Sequence, residues 1–413
     1  MPNDTRTTIP APLPAWEELE TFTRAKVQQF IQHVLEEEVT VLLERGRCER
    51  RADVDAPAGY RNGFGKPRRL AMQGGTITLR RPRLRGLEGR FESKILPLFR
   101  RRTKELGQLL PELYLHGLSL GDFELALRGL LGEGAPLSPA SIARLKASWQ
   151  LDYDFWKGRD LADRELVYVW ADGVYVKAGL EKEKACLLVV IGAFRDGHKE
   201  LLALVSGYRE STESWLAVLR ELKARGLGAP VCATADGAMA FWAAAAMVWP
   251  GARFQRCWNH AIVNVIDKLP KGKQPAAKIL LCAMPYASTR AEAARLRDGF
   301  ARRYRESYPE AVAILEKDWE MLTTFYDFPE EHWKHLRTSN VVESPFAALR
   351  LRTGAAKRFK VVANATMLIW RVLRVVERRF RKLDAPELLK DVYEGRTFVD
   401  GKPVTRAIRK EAA

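Results

Sequence analysis

The sequence predicts an α/β protein: a catalytic core interrupted by an all-helical stretch and preceded by a basic, mainly helical region. Three observations carry this. Between Glu165 and Arg256, β-branched and aromatic runs alternate with amphipathic stretches. From Cys257 to about Phe328 the pattern is helical. The charge is also segregated: the 413 residues carry +17, with 18 Lys/Arg against five acids from Arg45 to Lys104 and 12 against two from Arg337 to Lys382. The rest of the chain is therefore net acidic.

Two concentrated basic segments form an electrostatic footprint for a polyanion, which in a chain without a membrane segment points to nucleic acid. The 47% hydrophobic content excludes disorder as the main state. The longest uncharged stretches, Ala185 to Phe194 and Gly237 to Ala252, fall short of the roughly 18 to 20 apolar residues that span a bilayer. Met1 to Pro14 lacks the apolar core of a signal peptide, so the expectation is a cytoplasmic protein. Cys48, Cys186, Cys232, Cys257 and Cys282 are widely spaced and read as free thiols.

Taken in order, Trp16 to Arg45 is expected to be a helix, with Phe22, Val27, Phe30, Ile31, Val34 and Leu35 on its apolar face. A Gly-rich basic stretch, Gly59 to Gly75, leads into one short strand from Thr76, in which Ile77 and Leu79 alternate with polar residues. Three helical patterns fill Thr103 to Gln150. Ser119 and Ser138 stand as N-caps and Pro139 at a first helical position. That outline is a helix-turn-helix candidate (103–150), whose last helix would present Ser141, Arg144 and Lys146 to a DNA groove. Residues 1–150 are thus expected to be the DNA-binding region.

The core follows. Glu165 to Trp170 reads as a strand, Asp172-Gly173 as a turn into Val174 to Lys177, and Ala185 to Phe194 and Leu201 to Val205 as a hairpin. Then come a helix (Ser211 to Arg225), a strand (Val231 to Ala235), a helix (Met239 to Val248) and a strand (Arg253 to Arg256). Three strands, helix, strand, helix, strand is an order compatible with a ribonuclease-H-like sheet. Two further helices, Asn340 to Arg352 and Ala365 to Leu383, carry the second basic cluster, which includes Arg350 and Arg352.

Three carboxylates stand out. Asp172 and Asp236 share one local context, each ending an apolar strand and followed by Gly, where a side chain can project into the crevice at a sheet's end. Glu343, three residues after Asn340, is almost alone among a dozen basic residues. Oxygen ligands of this kind suit Mg²⁺ or Mn²⁺, and two such ions about 4 Å apart can promote in-line phosphoryl transfer.

Together, Ala-Asp172-Gly-Val-Tyr-Val-Lys, Ala-Asp236-Gly, Phe-Gln255-Arg-Cys257-Trp-Asn-His260 and Arg337-Thr-Ser-Asn340-Val-Val-Glu343 resemble the Mutator-type bacterial insertion-sequence transposases, which carry a DDE triad on a ribonuclease-H-like fold. The resemblance implies that Asp172, Asp236 and Glu343 are catalytic and metal-binding, with Asn340, Cys257, His260 and Arg337 in support. It implies a core in two parts, 160–270 and 337–385, around a helical insertion at about 271–336, and a C-terminal tail, 386–413. The implied partners are double-stranded DNA, as terminal inverted repeats and target, and a second copy of the chain or more on DNA, in the bacterial nucleoid. Thr338-Ser339-Asn340 departs mildly from the family's frequent Thr-Thr-Asn. Cys257-x-x-His260 with His332-x-x-His335 has the makings of a zinc site, but zinc is not expected: the pairs lie far apart and a structural or substrate-positioning role is more ordinary. The competing readings are a catalytically silent or domesticated DNA-binding regulator and a ribonuclease-H-like nuclease.

Overall fold

The computed structural model describes residues 16–404 except 55, 99, 105–138, 179–183, 208–209, 238, 351–358 and 360. The chain forms two compact units, 1–145 and 146–413. The first two patterns of the helix-turn-helix candidate therefore lie almost wholly outside the described residues.

In the first unit, α1 (Leu19–Leu43) buries Leu35, Val39 and Leu43, one per turn along a single face. Leu35 packs with Ile77, Leu79 and Leu96. Where one strand was expected there are four: β1 (Tyr60–Phe64), β2 (Arg68–Met72), β3 (Gly75–Leu79) and β4 (Pro82–Arg85). They pair antiparallel as β2 with β3 and β1 with β4. The glycines explain the difference, since Gln73-Gly74 turns the chain between Met72 and Gly75, and Gly75 holds φ +114°. α1 also covers the free edge of β3. The Gln28 and Gln32 side-chain oxygens accept the Thr78 and Arg80 N–H groups, each at 2.9 Å.

The last helix of the candidate is α2 (Pro139–Lys157). The second unit is built on β5 (Leu166–Val176), β6 (Ala185–Phe194), β7 (Lys199–Gly207), β8 (Cys232–Ala235) and β9 (Arg253–Arg256). Their order is β7-β6-β5-β8-β9, with β7, β6 and β5 antiparallel and β8 and β9 parallel to β5. The expected turn at Asp172-Gly173 does not occur: Asp172 pairs with Val189 and Gly173 with Leu188 inside one continuous strand. Gly173 is there for closeness instead. A β-carbon at this position would stand 1.7 Å from the Glu210 carboxylate.

Helix α3 (Thr212–Ala224) starts where the Ser211 hydroxyl accepts the Ser214 N–H. It turns Trp215, Val218, Leu219 and Leu222 inward. These meet Phe241, Ala244, Ala245 and Val248 of α4 (Met239–Val248) to form the core on one face of the sheet. α5 (Trp258–Ile266) leads into the helical stretch: α6 (Gln274–Ala283), α7 (Arg290–Tyr304), α8 (Pro309–Lys317) and α9 (Trp319–Thr323). Its aromatic centre is Phe325, Tyr326 and Trp333, whose rings lie within 5.4 Å of one another.

The helix expected over Asn340 to Arg352 is broken. α10 (Asn340–Glu343) ends at Ser344-Pro345 and the chain is helical again over 346–350. Pro345 has no N–H to continue the ladder, and the next bond, Ala347 N–H to Ser344 O at 3.2 Å, reaches back three residues only. α11 (Val362–Glu377) packs on β7, where buried Glu377 accepts the Leu201 N–H at 2.6 Å. Residues 386–404, the first part of the expected tail, fold onto this unit. α12 (Leu388–Tyr393) contacts β5, and the pair β10 (Phe398–Val399) and β11 (Lys402–Pro403) closes on the insertion. There the Asp400 carboxylate accepts the Arg290 N–H at 2.7 Å, and the Gly401 N–H donates to Tyr326 O at 3.1 Å. Among the described residues no helix is long and apolar enough to cross a membrane.

Candidate active site

Two adjacent parallel strands place the aspartates. β5 and β8 pair from Tyr168–Cys232 to Ala171–Ala235, and the next residue of each is Asp172 and Asp236. β8 ends there because Gly237 turns the chain away at φ +105°. The two carboxylates thus leave neighbouring strands at one level, at the end of the parallel ladder.

Glu343 comes from 107 positions beyond Asp236 in the chain, and the segment that carries it is tied to the sheet at every step. Trp170 Nε1 donates to His335 O at 2.8 Å and Thr234 Oγ1 to Leu336 O at 3.2 Å. The Trp258 N–H donates to Arg337 O at 2.9 Å, and the Ser339 N–H to the Cys257 sulfur at 3.3 Å. Ser339 Oγ then donates to the Glu343 carboxylate. Cys257 links the two halves, because its own N–H donates to Ala235 O, next to Asp236, at 2.8 Å.

Asp172, Asp236 and Glu343 line one groove together with Glu210, His260 and Arg350. Burial pushes the Asp172 carboxyl up to about 7, reinforced by the negative Asp236 and Glu343 and opposed by the Gly173 N–H at 2.8 Å and by His260. Burial, reinforced by Asp236, also raises Glu210. The His260 imidazole leans on the Cys257 sulfur, which raises it to about 9 against burial, with help from Glu343 and Asp236. Cys257 is correspondingly lowered: burial opposes this, but hydrogen bonds from His260 and Ser339 prevail. A groove holding four carboxylates, two of them resisting ionisation, has the chemistry of a hard-cation site.

The supporting residues divide. Asn340 accepts a hydrogen bond from Asn259 Nδ2 at 3.3 Å, and His260 Nδ1 lies 3.8 Å from Glu343. Arg337 faces away to brace the insertion, its guanidinium 4.0 Å from the Tyr286 ring and bonded to Pro285 O at 2.9 Å. His332 and His335 do not join Cys257 and His260. The His332 ring nitrogens bond Tyr168 Oη at 2.9 Å and Ala385 O at 3.2 Å, while His335 Nε2 accepts the Asp384 N–H at 3.3 Å. Of the expected DNA contacts, Arg350 lies in the groove, Ser141, Arg144 and Lys146 fall on the first turns of α2, and Ser119, Ser138 and Arg352 lie outside the described residues.

Glu210 and its hydrogen-bond partner Tyr175 were missed by the sequence reading. The available signal was position: Glu210 follows the end of a buried strand, as Asp236 does, just before the cap of α3.

The model of the family described as "Transposase, Mutator family" matches residues 13–382. The transposase for insertion sequence element IS6120 of Mycolicibacterium smegmatis is 42% identical over 301 residues, covering 73% of this chain and 93% of that protein. The transposase for insertion sequence element IST2 of Acidithiobacillus ferrooxidans is 42% identical over 280 residues, covering 67% and 95%. The transposase for element ISRM5 of Rhizobium meliloti is 27% identical over 350 residues, covering 84% and 85%. With a matching family model along most of its length and relatives this similar, the chain belongs to the Mutator family of insertion-sequence transposases.

Proposed function

We propose that this transposase binds the terminal inverted repeats of its element and cuts and joins DNA strands at Asp172, Asp236 and Glu343. The convergence of the three carboxylates at the end of the β5–β8 ladder carries the reading. The strand order, with three antiparallel strands followed by two parallel ones, supports a ribonuclease-H-like core.

The donor set fits Mg²⁺ or Mn²⁺. The three carboxylates would hold two ions, which when bound supply the positive charge that a pentavalent phosphoryl transition state demands. The remaining work falls to the chain. Cys257 and Ser339 fix the segment and the carboxylate of Glu343, so the triad is ordered before DNA arrives. Arg350 brings positive charge to the groove for a phosphodiester. Water is the nucleophile for cleavage, releasing a 3′-hydroxyl that attacks target DNA in strand joining. The basic first unit and the helix-turn-helix candidate are assigned to the element's ends. Joining needs two ends held together, which assigns the working form to a homodimer or larger assembly in the cytoplasm, on the nucleoid.

Asp172→Asn, Asp236→Asn and Glu343→Gln are each expected to reduce cleavage of terminal-repeat DNA by a factor on the order of 10² or more. Repeat binding, measured by gel shift, should stay within about threefold, a spread of well under 1 kcal/mol. Normal cleavage by these variants would falsify the assignment.

A further inference from the structure

Cys257, His260 and Glu343 meet in a way that the acidic centre does not require. Cys257 is fully buried at the start of α5, His260 stands one turn later, and Glu343 reaches in from α10. The sulfur, a ring nitrogen and a carboxylate oxygen all lie within 4.8 Å of one another. Around a tetrahedral zinc ion, with bonds of about 2.0 to 2.3 Å, ligand atoms stand about 3.3 to 3.8 Å apart. Closing the cluster thus takes side-chain movements of about an ångström, small against the reach of rotating side chains. His260 has the freedom for them, with a side chain 38% exposed, and Glu343 turns by giving up its hydrogen bond from Ser339, whereas the sulfur is fixed.

The donors are the wrong set for Mg²⁺. Thiolate, imidazole and one carboxylate select a borderline-soft ion, and an open fourth position is ordinary for three-ligand zinc. Two features prepare the ligands. The Ser339 N–H points at the sulfur from 3.3 Å, an outer hydrogen bond of the kind that orients a metal-binding thiolate. His260 Nδ1 is buried and stands 3.8 Å from the Glu343 carboxylate, so two of the three donors already face each other.

We propose that Cys257, His260 and Glu343 form a three-ligand Zn²⁺ site whose fourth position opens to the groove. Turned to this site, the Glu343 carboxylate leaves the acidic centre with Asp172 and Asp236 alone, so zinc halts strand chemistry. That regulatory consequence rests on the reading of Glu343 as catalytic. The site itself does not.

Cd²⁺, a spectroscopic stand-in for Zn²⁺, is titrated into the full-length protein in excess Mg²⁺ while the ultraviolet sulfur-to-metal charge-transfer band is followed. One equivalent should saturate the band, and Zn²⁺ should displace it. Cys257→Ser should abolish the band, His260→Ala should weaken Cd²⁺ binding at least about tenfold, and Asp172→Asn should retain it in full. A wild-type protein with no band, or a band that survives Cys257→Ser, overturns the site. If Cys257→Ser does not fold, unchanged Cd²⁺ affinity in His260→Ala does the same. Normal cleavage by Asp172→Asn, with the zinc site intact, would instead remove the catalytic reading and leave the site standing.

Discussion

Gly173 shows how much one absent atom can decide. Its backbone is ordinary strand, so any residue fits the dihedral angles, but the Glu210 carboxylate occupies the place of a β-carbon. In Gly173→Ala the flexible end of Glu210 must give way, which should leave melting within a few degrees of wild type because no core contact is lost. The displaced charge should cost function: a misplacement of about 1 Å in a catalytic groove can lower a rate by a factor on the order of 10². Cleavage rate and thermal melting, measured side by side, check this, and a Gly173→Ala protein that cleaves normally would detach Glu210 from the chemistry. The three carboxylates that line the groove were legible at this scale, since two Asp-Gly pairs after apolar runs and one acid in a basic stretch are local signals. Glu210 was not, because its meaning lies in a contact with Gly173 of β5, distant in the chain, that no local pattern reveals.

Among elements, the segment from His332 to Glu343 is tied to the sheet by Trp170, Thr234, Cys257 and Trp258, and its histidines predict a pH dependence. His335 is held down at about 4, by burial first and then by Lys199 and Lys334, against the pull of Asp384. His332 is lowered too, again by burial. In both, the unfolded chain takes up a proton below the ordinary value of about 6.5 that the folded chain refuses, so stability falls as pH drops from about 6.5; the His335 contribution levels off below about 4. His335→Gln should lose less stability than wild type between pH 7 and 4.5, by about 1 kcal/mol after allowance for partial exposure, in urea unfolding. Parallel pH profiles for the two proteins would rule this out. The same segment marks a limit of sequence reading. The periodicity of Asn340 to Arg352 pointed to one helix, and Pro345 interrupts it. The strands of the core were legible almost residue for residue, because β-branched runs bounded by turns fix a buried strand. The exception, continuous β5, arose because nine consecutive partners on β6, from Tyr168 to Val176, outweigh an Asp-Gly pair.

For the molecule as a whole, charge is distributed unevenly between the two units. The basic run from Arg45 to Lys104 lies wholly in the first unit and the triad wholly in the second. DNA affinity should then be dominated by phosphate contacts and fall steeply with salt. With six or more phosphates neutralised, the loss between 50 and 200 mM salt is about a thousandfold or greater. Asp172→Asn should show the same slope, as read by fluorescence anisotropy on a labelled repeat. A shallow slope for the wild-type protein would contradict the assignment of the basic run to DNA. The segregation of basic charge was legible from composition and segment counting. The two small sheets of the first unit escaped it, since glycine-rich basic runs carry little alternation to read.

The β10–β11 pair has a consequence for how the protein is made. Asp400 and Gly401 supply hydrogen bonds to Arg290 and Tyr326, so the helical insertion, synthesised about a hundred residues earlier, cannot complete its packing until this hairpin has left the ribosome. A nascent chain long enough to contain all three carboxylates is still unfinished at the element that frames them. A product released after Glu394 would carry the whole triad on an insertion whose last clasp was never fastened.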